Sequence, residues 1–126
     1  EENGYMNGAD VFNFVIVEVP EDIKRIFEAS GEDIRKIDYY VFHQANAFIN
    51  NHIAKKLKLD KERIPWTIQK FGNTSSVSVP LTIVSELRDK MQGEKKLMLS
   101  AFGVGMAWAT AIVPFVDCKI SEIVEI

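Results

Sequence analysis

The sequence predicts an α/β fold, a mixed sheet with helices layered on it, and three features carry that expectation. Helix-period runs alternate with strand-like runs along the chain. The last two strand-like runs flank Gly103-Val104-Gly105, which is a hairpin signal. One helix-period run, about Ser76 to Met91, starts apolar on more than one face, as an element between two layers does. A hairpin pairs antiparallel and a strand reached through a helical crossover pairs parallel, so both kinds of pairing are expected in one sheet.

Asp10 to Ser30 is expected to be a helix, with Val11, Phe14, Val15, Ile23, Ile26 and Phe27 at helical spacing. Pro20 should kink or split it, and Ser30-Gly31 should end it. Ile37 to Phe42 reads as a short strand rich in aromatic and β-branched residues. Ala45 to Leu59 reads as a second helix, with Phe48, Ile49, Ile53 and Leu57 on one face and Lys55, Lys56 and Lys58 toward water. Pro65 marks a boundary, and Trp66 to Lys70 reads as a short extended piece. Gly72-Asn73-Thr74-Ser75-Ser76 offers several N-caps for the apolar helix, whose first turn takes Pro80 where a missing N–H costs least. Gly93 closes that helix, and Lys96 to Phe102 and Met106 to Phe115 form the hairpin. The domain is expected over 1–115, with 116–126 a C-terminal tail, and the chain carries no internal repeat.

At 126 residues, 47% apolar and 26% charged, the chain has the size and composition of one globular domain. A net charge of −3 argues against nucleic acid as a partner, because phosphate binding wants a basic footprint. No run approaches the roughly 20 apolar residues of a membrane span, so no membrane is expected. One cysteine, Cys118, leaves no internal disulfide framework and fits a reducing compartment, the cytoplasm. The chain opens Glu-Glu-Asn-Gly-Tyr without a basic and apolar leader, so no secretory signal is expected; the missing initiator Met suggests a fragment.

Chemistry-bearing residues collect in three clusters at strand ends or helix starts, where α/β sheets usually build sites. They are His43-Gln44-Ala45-Asn46 after the first strand, Gly72-Asn73-Thr74-Ser75 before the apolar helix, and Ala101-Phe102-Gly103-Val104-Gly105 between the last strands. Singly each has an ordinary structural explanation: a satisfied histidine, a helix cap, a turn needing positive φ. Their combination is more specific. With Asn73 thirty positions after His43, and with the opening Met6-Asn7-Gly8 before Val11-Phe12, the chain resembles the C-terminal half of 3-oxoacyl-acyl-carrier-protein synthase III from about Met6 to Phe115. That family is a ketoacyl synthase of the thiolase-like fold.

The resemblance implies an acyltransferase that joins an acyl-CoA primer to malonyl-acyl-carrier protein through a Cys-His-Asn site. Its cysteine lies in the N-terminal half, outside these residues. His43 and Asn73 would be the catalytic pair that hydrogen-bonds the malonyl thioester carbonyl and stabilises the enolate left by decarboxylation. For that role His43 should present an N–H from Nε2, the other ring nitrogen being fixed by a neighbour. Val104 matches the residue whose backbone N–H serves the acyl-cysteine oxyanion hole. Gly8, Phe12, Ala45 and Asn46 match positions lining the pantetheine tunnel, and Lys55 and Lys56 match a basic patch that docks the acidic carrier protein. The resemblance also implies a homodimer, the N-terminal half as partner, and no cofactor or metal. Ala9 and Phe48 depart from the asparagine and the docking arginine common at those positions.

Other combinations are poorer. Cys118 sits in the tail, without the helix N-terminus or adjacent base that activates a thiol. Ser75 or Ser76 with His43 and Asp38 could be drawn as a triad, yet no Gly-x-Ser-x-Gly elbow is present. His43 and His52 lack nearby thiol or carboxylate partners for a metal. Two other readings stand beside the main one: a non-catalytic scaffold fragment, and a specialised acyltransferase of secondary metabolism.

Overall fold

A computed structural model describes residues 7–124; Met6 of the opening motif and the last two residues of the tail lie outside them. In order, the elements are α1 (Gly8–Ser30), β1 (Tyr39–Phe42), α2 (Ala47–Lys56), α3 (Ile68–Phe71), α4 (Ser78–Glu86), β2 (Glu94–Gly103) and β3 (Ala107–Val116). The sheet runs β1-β2-β3, with β1 parallel and β3 antiparallel to β2. It is the mixed sheet the sequence predicts.

The pleat sorts the core into two layers. Tyr40 and Phe42 of β1, with Met98 and Phe102 of β2, face α1 and α2 and meet Val15, Val19, Ile23, Ile49 and Ile53. Val41 and Leu97 point the other way, into a smaller cluster with Leu87 and Met91. Val79 and Ile83 of α4 cover that second face, together with Cys118 and Ile120 from beyond β3. The tail is tied back by the Asp117 N–H on the Gly93 carbonyl at 2.9 Å and by the Asp117 carboxylate accepting from the Gly93 N–H at 3.0 Å.

Four local expectations need correction, each for a physical reason. Pro20 does not split α1, which runs unbroken for 23 residues. Proline leaves the Ile16 carbonyl without its usual helical donor, and the Lys56 ammonium donates to it from α2 at 3.2 Å. The segment expected to be extended at Trp66 to Lys70 instead forms the one-turn helix α3. Its first N–H groups, Thr67 and Ile68, both donate to the buried Gln44 Oε1, at 3.1 and 3.2 Å.

The apolar helix is also shorter than expected. A 3₁₀ turn at Ser75–Val77 precedes α4, which ends at Glu86, and no serine or threonine side chain caps it. The hairpin loop is Val104-Gly105-Met106, one residue later than the glycine pair suggests, because Gly103 still pairs with Ala107. Gly105 and Met106 both take positive φ, at 82° and 51°.

α4 has an unusual orientation. Its two buried residues, Ser78 and Thr82, are polar, while Val77 is 55% exposed and Leu81 and Val84 are only partly covered. The polar pair is satisfied toward the sheet: Thr82 Oγ1 donates to the Ser78 carbonyl and meets Thr67 Oγ1, both at 2.7 Å.

Gln44 carries more of this arrangement than its size suggests. Gln44→Ala would strand the Thr67 and Ile68 N–H groups, at roughly 1–3 kcal/mol for each buried group left unpaired. Lys56→Met removes one exposed donor and should cost less than about 1 kcal/mol. Urea unfolding of the two variants checks the ranking; equal midpoints would contradict it.

Candidate functional site

The site begins where β1 ends. His43 extends the parallel ladder one residue past the strand, its N–H on the Ser100 carbonyl at 2.8 Å. Its own carbonyl accepts from Asn50 Nδ2 of α2 at 2.9 Å. The imidazole Nδ1 lies 2.5 Å from Ser78 Oγ at the start of α4, and the Phe102 ring stands edge-on to it with centroids 5.4 Å apart. Ser78 of α4 and Phe102 of β2 therefore meet the half-buried ring, and Asn50 of α2 holds the backbone that carries it. Burial pulls its pKa below the ordinary 6.5, so the ring is neutral at neutral pH.

Asn73 lies on the exposed segment between α3 and α4. Its Oδ1 accepts the Ser75 N–H at 2.9 Å, an assignment set by that donor. Among the described residues, neither Asn73 Nδ2 nor His43 Nε2 has a hydrogen-bond partner, and no hydrogen bond joins the two residues. Both side chains thus spend one polar atom on local structure and keep the other available.

The remaining residues predicted for the site scatter around this centre. Val104 is fully exposed at the hairpin tip, just past the end of β2. Gly8 is the exposed first residue of α1, which Asn7 caps by accepting from the Ala9 and Asp10 N–H groups. Phe12 of α1 stacks on Phe48 of α2 with centroids 5.7 Å apart, although Phe48 stays 67% exposed. Ala45 packs against the larger core cluster. Asn46 caps α2, its Oδ1 accepting the Phe48 N–H at 2.7 Å. Lys55 is exposed, and Lys56 is also exposed while reaching Ile16.

The poorer combinations come apart. Asp38 lies just before β1, at its opposite end from His43, with its carboxylate on the Lys96 N–H at 2.8 Å. Ser78, not Ser75 or Ser76, meets the imidazole. Cys118 packs beside Leu87 and Met91 near the start of β2. Six residues of strand separate that end from Ser100 beside His43, about 20 Å. Among the described residues no group of three or more His, Cys, Asp and Glu side chains is placed to hold a metal.

Sequence reasoning missed Ser78, Gln44 and Asn50 as supports of His43. For Ser78 a signal existed: one hydroxyl inside the apolar run Val77 to Leu81 is a polar group that burial obliges to find a partner.

The mixed sheet with helices on both faces, and a polar centre where its parallel strands end, defines part of a thiolase-like α/β fold. A family model described as 3-oxoacyl-[acyl-carrier-protein (ACP)] synthase III C terminal matches residues 27–115. The beta-ketoacyl-[acyl-carrier-protein] synthase III of Streptococcus gordonii is 41% identical over 111 residues, covering 86% of this chain and 34% of the relative. A crystal structure of a 3-oxoacyl-(acyl-carrier protein) synthase from Burkholderia xenovorans superposes with a TM-score of 0.89 at 39% identity, covering 94% of this chain and 34% of that one. The priming beta-ketosynthase of the R1128 polyketide pathway superposes at 0.82 with 25% identity, covering 90% and 34%. The chain belongs to the 3-oxoacyl-acyl-carrier-protein synthase III family, and it spans about a third of the length of these relatives.

The depressed pKa of His43 fixes a sign. The unfolded imidazole binds its proton more readily than the folded one, so this group stabilises the fold above the ordinary 6.5. That contribution is lost as pH falls through 6.5 toward the lower folded value. The stability difference between the parent chain and His43→Gln should therefore shrink from neutral pH to about pH 5. Paired urea titrations check this, and a difference that grows on acidification would contradict it.

Proposed function

We propose that this chain is the C-terminal part of a decarboxylative condensing acyltransferase that joins an acyl-CoA primer to malonyl-acyl-carrier protein in fatty acid biosynthesis. The observation that carries the reading is the matched state of two side chains. His43 Nδ1 is engaged by Ser78 and Asn73 Oδ1 by the Ser75 N–H, which leaves His43 Nε2 and the Asn73 Nδ2 amide group open toward a substrate.

The chemistry needs two hydrogen-bond donors. Loss of carbon dioxide from the malonyl group leaves its bonding electron pair on the thioester enolate, with the charge on oxygen. His43 Nε2–H and Asn73 Nδ2–H stabilise that oxygen, each donor supplying about 2.7–4 kcal/mol. The enolate carbon then attacks the carbonyl of an acyl-cysteine, whose oxyanion the Val104 backbone N–H holds, and the cysteine leaves as thiolate. That cysteine comes from the N-terminal part of the enzyme, because Cys118 lies at the wrong end of the sheet.

The same part of the enzyme supplies a cover for the outer flank of α4, where Val77 is exposed and Leu81 and Val84 are only partly covered. Gly8, Phe12, Ala45 and Asn46 line the way in for the pantetheine arm. Phe48, stacked on Phe12, departs from the docking arginine that the resemblance implies, and Lys55 and Lys56 would then meet the acidic carrier protein. We place the assembled enzyme in the cytoplasm as a homodimer. The likeness to a polyketide priming ketosynthase supports a second reading, the same condensation serving secondary metabolism.

In the full-length protein, His43→Ala or Asn73→Ala should lower malonyl decarboxylation by about a hundredfold or more. Transfer of the primer to the cysteine should fall far less, since its oxyanion uses the hairpin backbone. Carbon dioxide release and acyl-enzyme formation, measured separately, check this. Unchanged decarboxylation in the Asn73 variant would sink the assigned role.

A further inference from the structure

Ser78 is not among the residues the sequence singled out, yet among the described residues it is the one side chain bonded to the His43 ring. It is 1% exposed, so no bulk water serves its hydroxyl. A serine oxygen carries one proton and accepts at two lone pairs. One acceptor position takes the Gln44 N–H at 3.3 Å, which fixes the side of the oxygen facing that backbone. For the single Ser78 proton, the described residues offer no acceptor other than His43 Nδ1, 2.5 Å away.

We propose that Ser78 is the positioning residue that sets the His43 tautomer, its Oγ–H donated to Nδ1 so that the ring proton sits on Nε2. The opposite arrangement, Nδ1–H donating to Oγ, loads both acceptor positions of the oxygen and strands its proton in a buried site. An unpaired buried polar group of that kind shifts a two-state balance by a factor of about ten or more. Gln44 makes the arrangement rigid. Its N–H orients Ser78, its Nε2 donates to the Phe42 carbonyl at 2.9 Å, and its Oε1 holds the start of α3. Asn50 fixes the His43 carbonyl from the other side. The ring is thus held at its backbone, its edge and one nitrogen, with only Nε2 left to act. Ser78 touches no substrate, and its effect passes through His43.

The catalytic consequence rests on the function proposed above, while the tautomer does not. The test uses the full-length protein with ¹⁵N-labelled histidine, the His43 ring signals being identified by their loss in His43→Gln. At neutral pH the nitrogen shifts should show Nε2 protonated and Nδ1 bare and hydrogen-bonded. Ser78→Ala should give a mixed tautomer population, and Ser78→Thr, which keeps the hydroxyl, should restore the single form. A protonated Nδ1 in the parent chain overturns the proposal, as does a single unchanged tautomer in a folded Ser78→Ala. If Ser78→Ala does not fold, the parent chain and Ser78→Thr still decide it. In the full-length protein, Ser78→Ala should lower kcat for decarboxylation about tenfold with KM nearly unchanged, and Ser78→Thr should recover it. Normal decarboxylation by a His43→Ala control would remove the catalytic reading and leave the tautomer result standing.

Discussion

The buried polar seam between β1 and α4 is the constraint on which the rest of the structure depends. A strand that stops inside a protein must find partners for the backbone that follows it. Here Phe42, His43 and Gln44 leave the sheet in succession, and each is answered: the Phe42 carbonyl by Gln44 Nε2, the His43 N–H by Ser100, the Gln44 N–H by Ser78. The same few groups reach Thr67, Ile68 and Thr82. One hydrogen-bonded chain therefore links the end of β1 to α3 and α4. Breaking it exposes buried polar atoms at several places at once, which is costlier than losing a single apolar contact.

This seam also takes in part of α4. Ser78 and Thr82 turn inward beside Val79 and Ile83, which pack on the sheet, while Val77, Leu81 and Val84 lie on flanks left exposed or only partly covered. The run is therefore apolar on several faces, one of them against its own sheet. His43 and Asn73 each fix one polar atom in the seam or its approach and present the other outward.

Much of the fold was legible because its signals are local. The aromatic and β-branched run of Tyr39 to Phe42 gives β1 and the paired runs around Gly103-Val104-Gly105 give the hairpin, while α2, expected from Ala45, starts at Ala47 behind its Asn46 cap. What escaped was set at long range. The carbonyl that Pro20 leaves open in α1 is met by Lys56, forty residues away, and α3 starts where Gln44 takes the Thr67 and Ile68 N–H groups. The motifs single out His43 and Asn73 as candidates. For Ser78 the hydroxyl inside an apolar run signals a partner without naming it, and only the fold brings it to a residue 35 positions earlier.

The proposed function is a division of labour, with enolate stabilisation assigned to this chain and the acyl group to another part of the enzyme. Mass spectrometry after exposure to acyl-CoA tests it most directly, applied to the 126-residue chain and to the full-length protein. The predicted result is no adduct on the chain and, on the full-length protein, one adduct at a cysteine outside residues 1–126 that malonyl-acyl-carrier protein discharges. An acyl adduct on Cys118 that turns over would contradict the account.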